Sequence, residues 1–159
     1  MRNTAVIRVL STYQENRSRK VNRVDRLAKR CLDLLASSLG LLFLSPLFAF
    51  IAWRIQRDSP GPVFYHGKRV GKGGKTFDIV KFRTMREEPQ SHLGPRVTAQ
   101  DDPRVTPFGR WLRDSKLNEL PQLWNVLKRE MSLVGPRPED PMLANSWPRD
   151  AWKEVTSVR

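Results

Sequence analysis

Leu34–Trp53, LLASSLGLLFLSPLFAFIAW, is twenty residues without a charged side chain, in a chain where 28% of residues are charged. At about 1.5 Å rise per residue, a helix of this length spans roughly 30 Å, the hydrocarbon thickness of a bilayer. Its only polar side chains, Ser37, Ser38 and Ser45, form no face. Two readings follow: a membrane-inserted helix, which the missing polar face favours, and a fully buried core helix.

Ser45-Pro46 falls just past the middle of the run. A proline there removes the hydrogen bond to the Leu42 carbonyl and kinks the helix. The Ser45 hydroxyl next to it is placed to satisfy that carbonyl. Lys29 and Arg30 precede the run, and Arg54, Arg57, Lys68, Arg69, Lys72 and Lys75 follow it. A spanning helix should be basic mainly at its cytoplasmic end. This one is basic at both, so the expectation is a helix that enters, bends at Ser45-Pro46 and returns to the same face.

With 159 residues there is room for one domain besides the membrane element. The net charge of +13 implies an anionic partner: lipid head groups, nucleic acid or a phosphorylated substrate. Cys31 is the only cysteine, which excludes an intrachain disulfide and a cysteine-based metal cluster; it reads as a small apolar residue at the head of the membrane helix. The apolar run starts late and lacks a small-residue cleavage site, so it is expected to remain in the mature protein.

Residues 1–30 carry nine Lys or Arg against Glu15 and Asp25. Val21, Val24, Leu27 and Ala28 recur at helical spacing among Arg23, Arg26, Lys29 and Arg30, which reads as a basic interfacial helix or, alternatively, a solvated arm. Pro60-Gly61-Pro62 ends the membrane element. Val63–Tyr65 and Thr76–Phe82 are strand candidates around a turn at Gly71–Gly74. Those glycines with Lys72 and Lys75 match no phosphate-loop spacing, so a plain hairpin turn is the better reading.

Residues 86–107 read as a long polar, proline-rich loop in which His92 is solvated and Asp101 and Asp102 are exposed turn acids rather than metal ligands. Phe108, Trp111 and Leu112 form one apolar helical face. A second helix is expected from about Glu119, with a stripe of Leu120, Leu123, Trp124 and Leu127, Pro121 in its first turn and Asn118 as N-cap. Glu119 then sits at the positive end of the helix dipole, where ordinary capping and phosphate chemistry with a metal are both open and capping is favoured. Gly135-Pro136-Arg137-Pro138 reads as a rigid turn aiming the Arg137 guanidinium, a group suited to bidentate phosphate binding. The last nineteen residues, with Trp147 and Trp152, are mildly amphipathic.

In this order, KRCLDLLASSLGLLFLSPLF, GPVFYHGKRVGKGGKTFDIVKFRTM and LNELPQLWNVLKREMSLVGPRPED resemble the bacterial sugar transferase family of monotopic phosphoglycosyl transferases, over roughly Val24–Arg159. The resemblance implies an enzyme that moves a sugar 1-phosphate from a nucleoside diphosphate sugar, usually a UDP-sugar, onto a membrane polyprenol phosphate. Nucleoside monophosphate is released, Mg2+ is required, and the reaction passes through a covalent phosphosugar on the Asp of an Asp-Glu dyad. It also implies a re-entrant membrane helix hinged at Ser45-Pro46. Glu119 becomes the metal-associated dyad member, Arg113 and Arg137 phosphate-binding residues, and Lys81 and Arg83 a basic block near the nucleotide-sugar site.

Two departures stand out. The dyad reads Asn118-Glu119, an amide in place of the nucleophilic carboxylate. Either Glu119 takes the nucleophile's role, or the mechanism is modified, or the protein is a catalytically inactive scaffold. The family also continues past the equivalent of EVTSVR, so the chain is expected to be truncated.

The expected fold is α/β and mostly helical: a re-entrant membrane helix and a small domain with a short β-hairpin and amphipathic interfacial helices, on the cytoplasmic face of the bacterial inner membrane. Residues 1–20 form a basic arm and 21–159 the sugar transferase domain, with the membrane helix at 34–53 and the catalytic core at 60–140. The expected partners are polyprenol phosphate, a nucleoside diphosphate sugar and anionic membrane lipids; a homo-oligomer stays open. Nucleic acid is not expected, because a binder of that kind has no use for a broken apolar run.

Overall fold

The computed structural model describes residues 23–87, 102–135 and 137–144. The basic arm, most of the proline-rich loop with Asp101 and His92, and the segment with Trp147 and Trp152 lie outside the described residues. The chain divides into two compact units, Met1–Leu32 and Asp33–Arg159.

Helix α1 spans Arg23–Phe43 and α2 spans Ser45–Asp58. The boundaries therefore differ from the expected 34–53 run. The basic segment and the first half of the apolar run are one helix, and the second half continues past Trp53. Pro46 lies in the first turn of α2, where its missing N–H would have no helical acceptor. The Ser45 hydroxyl donates to the Leu42 carbonyl at 2.7 Å, as expected from the sequence. Leu44 N–H reaches Gly40 O, and Phe48 N–H reaches Leu44 O, both at 2.9 Å, so the break leaves few backbone groups unsatisfied. The two helices are bent by 59°; among the described residues no single helix is long and apolar enough to cross a membrane, but the bent pair meets that test together.

The apolar run divides its residues between two environments. In α2, Ile51 and Ile55 are fully buried, and with Phe82 and Leu112 they form the core, ringed by Leu47, Phe48, Val63, Phe108, Leu117 and Leu120. Leu35, Leu39, Leu42, Phe43, Phe50 and Trp53 are at least half exposed. A core helix would have buried these. The helices instead present one face inward and a continuous apolar face outward.

Strands β1 (Phe64–Val70) and β2 (Thr76–Phe82) pair antiparallel from Phe64↔Phe82 to Val70↔Thr76. The first strand is longer than the Val63–Tyr65 expectation, because its polar residues Lys68 and Arg69 pair outward with Asp78 and Asp140. The connection is the plain turn anticipated, with Gly73 (φ 67°) and Gly74 (φ 74°) taking left-handed conformations that side chains resist. Phe82 lies between the rings of Phe48 and Phe64, at 5.1 and 5.5 Å between centroids.

Helix α3 (Pro107–Asp114) is capped by Thr106, whose hydroxyl accepts from Gly109 N–H at 2.9 Å. A Cβ at Gly109 would lie 2.1 Å from the Thr84 carbonyl oxygen, so only glycine lets α3 approach the exit of β2. The expected apolar face divides: Leu112 is buried, whereas Trp111 is half exposed and stacks on Phe108 at 5.4 Å.

The second expected helix is broken. Lys116 turns through φ 62°, a 3-10 turn covers Leu117–Glu119, and α4 begins only at Gln122 and ends at Leu127. Asn118 makes no capping hydrogen bond, and α4 starts from Pro121, so the N-cap reading of Asn118 is corrected. Pro121 fixes the start: its ring has no N–H to continue the preceding turn.

Helix α4 is fixed to the hairpin by Asn125, which is fully buried. Its Oδ1 accepts from Val80 N–H at 2.9 Å, and its Nδ2 donates to Asp78 O (2.8 Å) and to Glu130 (2.7 Å). The side chain thereby acts as a short strand on the free edge of β2. After α4 the chain is held by Asp33, a buried carboxylate of α1 that accepts from the Ser132 hydroxyl (2.8 Å) and Leu133 N–H (3.1 Å). It then bridges to β1 through Val70 N–H and Glu139 O at 2.9 Å, and a short helix α5 follows at Pro141–Ala144. Replacing Asn125 with Ala leaves the buried Val80 N–H without its partner and removes the donor to Asp78 O. The expected cost is about 2 kcal/mol, seen as a lower thermal unfolding midpoint of Asn125→Ala than of wild type in the same nanodiscs.

Candidate active site

Two of the four cations singled out in the sequence, Lys81 and Arg137, meet at Glu119. Lys81, the penultimate residue of β2, places its ammonium 2.7 Å from Glu119 Oε1. Arg137 donates from a guanidinium nitrogen to the same oxygen at 2.9 Å. Residues from distant parts of the chain meet here because each backbone is anchored nearby. Leu117 and Leu120 pack against the core on either side of Glu119. Arg137 lies between the Asp33 contact to Ser132 and Leu133 and the bridge from Glu139 to β1.

Glu119 is therefore not an ordinary cap, which corrects the favoured sequence reading. Burial raises the cost of its charge, but the Lys81 hydrogen bond and charge, with Arg137 and Lys116 adding to them, outweigh this and hold the carboxyl below its usual value. Glu119 is thus ionised at neutral pH. No hydrogen bond from the described residues reaches its Oε2, because both cations converge on Oε1. Lys81 is largely buried at this contact, while the Arg137 side chain is 75% exposed and free to turn toward an incoming anion.

Asn118, beside it, keeps its Oδ1 buried and without a hydrogen-bond partner among the described residues. An orphaned buried acceptor is costly, which makes this atom unusual in the fold.

The other residues singled out in the sequence go elsewhere. Arg113 on α3 donates to Thr84 Oγ1 at 2.8 Å, and burial lowers its pKa, with Asp102 opposing and Arg104 adding to that effect. Arg83 is buried and directed at the end of α2: it donates to Pro60 O (2.8 Å), Ser59 O (2.6 Å) and Ser59 Oγ (3.1 Å). Gly61 is the matching small residue, since a Cβ there would lie 2.2 Å from an Arg83 nitrogen. Arg83 thus joins α2 to the hairpin and does not face Glu119. Ser45 and Pro46 act at the helix break.

Several functional contributors were not read from the sequence. Asp102 is buried rather than an exposed turn acid, and accepts from Arg104 Nε (2.9 Å), a terminal guanidinium nitrogen (2.6 Å) and backbone N–H (3.0 Å). With the bridge between Met85 and Val105, it pins the far end of the long loop beside Arg113. Asp33 and Asn125 carried a readable signal, a lone polar side chain among apolar neighbours. Thr84 carried none.

The donor set also bears on Mg2+, which the resemblance implies. Among the described residues no three His, Cys, Asp or Glu side chains converge. Glu119 has one oxygen held by two cations, and position 118 offers an uncharged amide. Mg2+ is held through carboxylate and phosphate oxygens in a near-octahedral shell, so these residues do not suit it.

Comparison with known proteins agrees with the family resemblance. The model of a family described as bacterial sugar transferase matches residues 24–159. The chain is 47% identical over 123 residues to an undecaprenyl-phosphate glucose phosphotransferase of Komagataeibacter xylinus, covering 77% of this chain and 23% of the relative. It is 42% identical over 122 residues to a UDP-N-acetylgalactosamine-undecaprenyl-phosphate N-acetylgalactosaminephosphotransferase of Aeromonas hydrophila, covering 77% and 29%. Exopolysaccharide production protein ExoY of Rhizobium meliloti is 42% identical over 132 residues, covering 74% and 58%. The chain thus spans about a quarter of the first two relatives and over half of the third.

The Asp102–Arg104 contact sets a pH dependence. The Arg104 hydrogen bonds pull the Asp102 carboxyl down from 3.8 to about 2. A depressed folded pKa stabilises fully above the unfolded value and is lost as pH falls through the folded one. The stability difference between wild type and Asp102→Asn is therefore expected to be constant from neutral pH to about 4 and to shrink toward pH 2, measured by chemical unfolding across that range.

Proposed function

The chain belongs to the bacterial sugar transferase family, and from that premise we propose that it transfers a sugar 1-phosphate from a UDP-sugar to a membrane polyprenol phosphate. The products are a polyprenol diphosphosugar and UMP, at the start of exopolysaccharide, O-antigen or related glycan assembly. The observation that carries this reading is the ionised Glu119 carboxylate held between Lys81 and Arg137. An anion-rich substrate needs cations, and a nucleophile needs an ionised oxygen with no partner; both occur on one side chain.

In this reading Glu119 Oε2 attacks the β-phosphorus of the UDP-sugar. The bond from that phosphorus to the bridging oxygen breaks, UMP departs, and the sugar phosphate is left on Glu119. A polyprenol phosphate oxygen then attacks the same phosphorus, and the Glu119 carboxylate leaves. Lys81 keeps Oε1 oriented, and the exposed Arg137 guanidinium turns to the phosphate oxygens, whose planar recognition suits arginine. Arg113, half-buried and anchored by Thr84, offers its remaining guanidinium donors to the polyprenol phosphate.

The same reading seats the bent α1–α2 pair in the bilayer as a re-entrant element, on the cytoplasmic face of the bacterial inner membrane. The outward face of Leu35, Leu39, Leu42, Phe43, Phe50 and Trp53 supports this, since so much exposed apolar surface is unfavourable in water. Anionic lipids suit the basic flanks.

A second reading is a membrane scaffold that binds nucleotide-sugar without turnover. One observation favours it: position 118 holds an amide, which is no nucleophile for phosphorus. Release of UMP from UDP-sugars, with polyprenol phosphate in nanodiscs, separates the two. Wild type is expected to release UMP and Glu119→Gln to lose at least about a thousandfold in rate, as expected when an essential nucleophile is removed. Binding of UDP-sugar with no UMP in wild type, and turnover in Asn118→Asp, would instead establish the scaffold.

A further inference from the structure

We infer that this site takes a nucleoside diphosphate through its cationic side chains alone, without a divalent cation, because Asn118 and the pairing of Glu119 leave no ligand set for one among the described residues. The inference rests on the phosphoglycosyl transfer reading for the identity of the nucleotide, and concerns a property in which this chain departs from what its resemblance implies.

The charges around the dyad decide it. Among the described residues Glu119 is the one carboxylate at the centre, and its Oε1 is already bonded to Lys81 at 2.7 Å and Arg137 at 2.9 Å. Lys116 adds a third positive charge acting on the same carboxyl. One negative charge against three positive ones leaves the site electropositive before any ligand arrives. A dication entering here meets repulsion from two bonded cations and finds, at position 118, a neutral amide oxygen instead of a second carboxylate. A diphosphate meets the reverse: the cations that would repel Mg2+ supply the neutralisation that Mg2+ would otherwise provide.

The Asn118 amide has a second consequence. Its buried Oδ1 lacks a donor, so the position would accept a hydrogen bond but carries no charge to hold a metal against dehydration. Restoring a carboxylate there would raise the local negative charge to two and put two acidic side chains next to each other in sequence. The difference between a cation-independent and a cation-requiring site therefore lies in one side chain.

The test uses the whole chain in phosphatidylcholine nanodiscs, with Mn2+ as the metal probe and UDP as the nucleotide probe. Free Mn2+ is read by its electron paramagnetic resonance signal, and UDP affinity by calorimetry in EDTA and in millimolar MgCl2. Wild type is expected to leave the Mn2+ signal unchanged and to bind UDP with equal affinity, within about twofold, in both buffers, since coupling between two ligands is reciprocal. Asn118→Asp is expected to retain Mn2+ and to bind UDP at least about tenfold more tightly with Mg2+ than without.

Retention of Mn2+ by wild type that is lost in Glu119→Gln would overturn the inference. So would a tenfold or larger Mg2+ gain in wild-type UDP affinity, on the order of 1.4 kcal/mol. Failure of Asn118→Asp to gain Mn2+, with a circular dichroism spectrum like that of wild type, would overturn the role given to Asn118. If UDP binds in neither buffer, the nucleotide reading falls, and the Mn2+ result still decides the metal question by itself.

Discussion

A two-stranded hairpin is marginal in water because half of its backbone donors and acceptors have no strand beside them. This fold is arranged around supplying what the hairpin lacks. On one edge the Asn125 side chain takes the place of a strand, bonding Val80 N–H and Asp78 O. On the other, Glu139 accepts from Val70 N–H. Arg83 at the exit of β2 ties the end of α2 to the sheet, and Thr84 O receives Thr106 N–H where α3 begins. These few tethers fix Lys81, Glu119 and Arg137 relative to one another. The site is a by-product of finishing the sheet.

Much of this was legible where local rules govern. The break at Ser45-Pro46, its satisfaction by the Ser45 hydroxyl, and the hairpin turn at Gly73-Gly74 follow from proline, hydroxyl and glycine chemistry acting over a few residues. Lys81, Glu119 and Arg137 were each picked out by motif, and they meet. What failed was long-range. The Asn118 cap was a sound local inference, but a left-handed Lys116 and the position of Pro121 impose a 3-10 turn there, because Leu117 and Leu120 must both reach the core. Asp102 reads in the sequence as an exposed turn acid, since nothing nearby in sequence announces that Arg104 folds back over it. Arg83 looked like a partner of Lys81 and proved to be a clamp on α2, a distinction that needs the position of Ser59.

The two basic residues of the KFRTM block show how little spacing alone reveals about a cation. Lys81 is bonded to Glu119, a carboxylate whose second oxygen receives no hydrogen bond from the described residues, so its charge acts on another charged group. Arg83 spends its donors on carbonyl and hydroxyl oxygens, neutral acceptors that fix its position and leave it structural. Both carry one positive charge and they stand two residues apart; the acceptor differs. For these two cations, what their N–H groups face separates the one at Glu119 from the one that clamps α2.

Asp33 joins α1 to the segment that carries Arg137, through Ser132 and Leu133. The apolar helix is thus no passive tether that could be cut away to yield a soluble catalytic fragment. A shortened protein beginning at α2 would lose the acceptor that holds the approach to Arg137, and the Leu133 N–H would lose its partner. The placement of α1 is thereby coupled, through one carboxylate, to the geometry of the segment that carries Arg137.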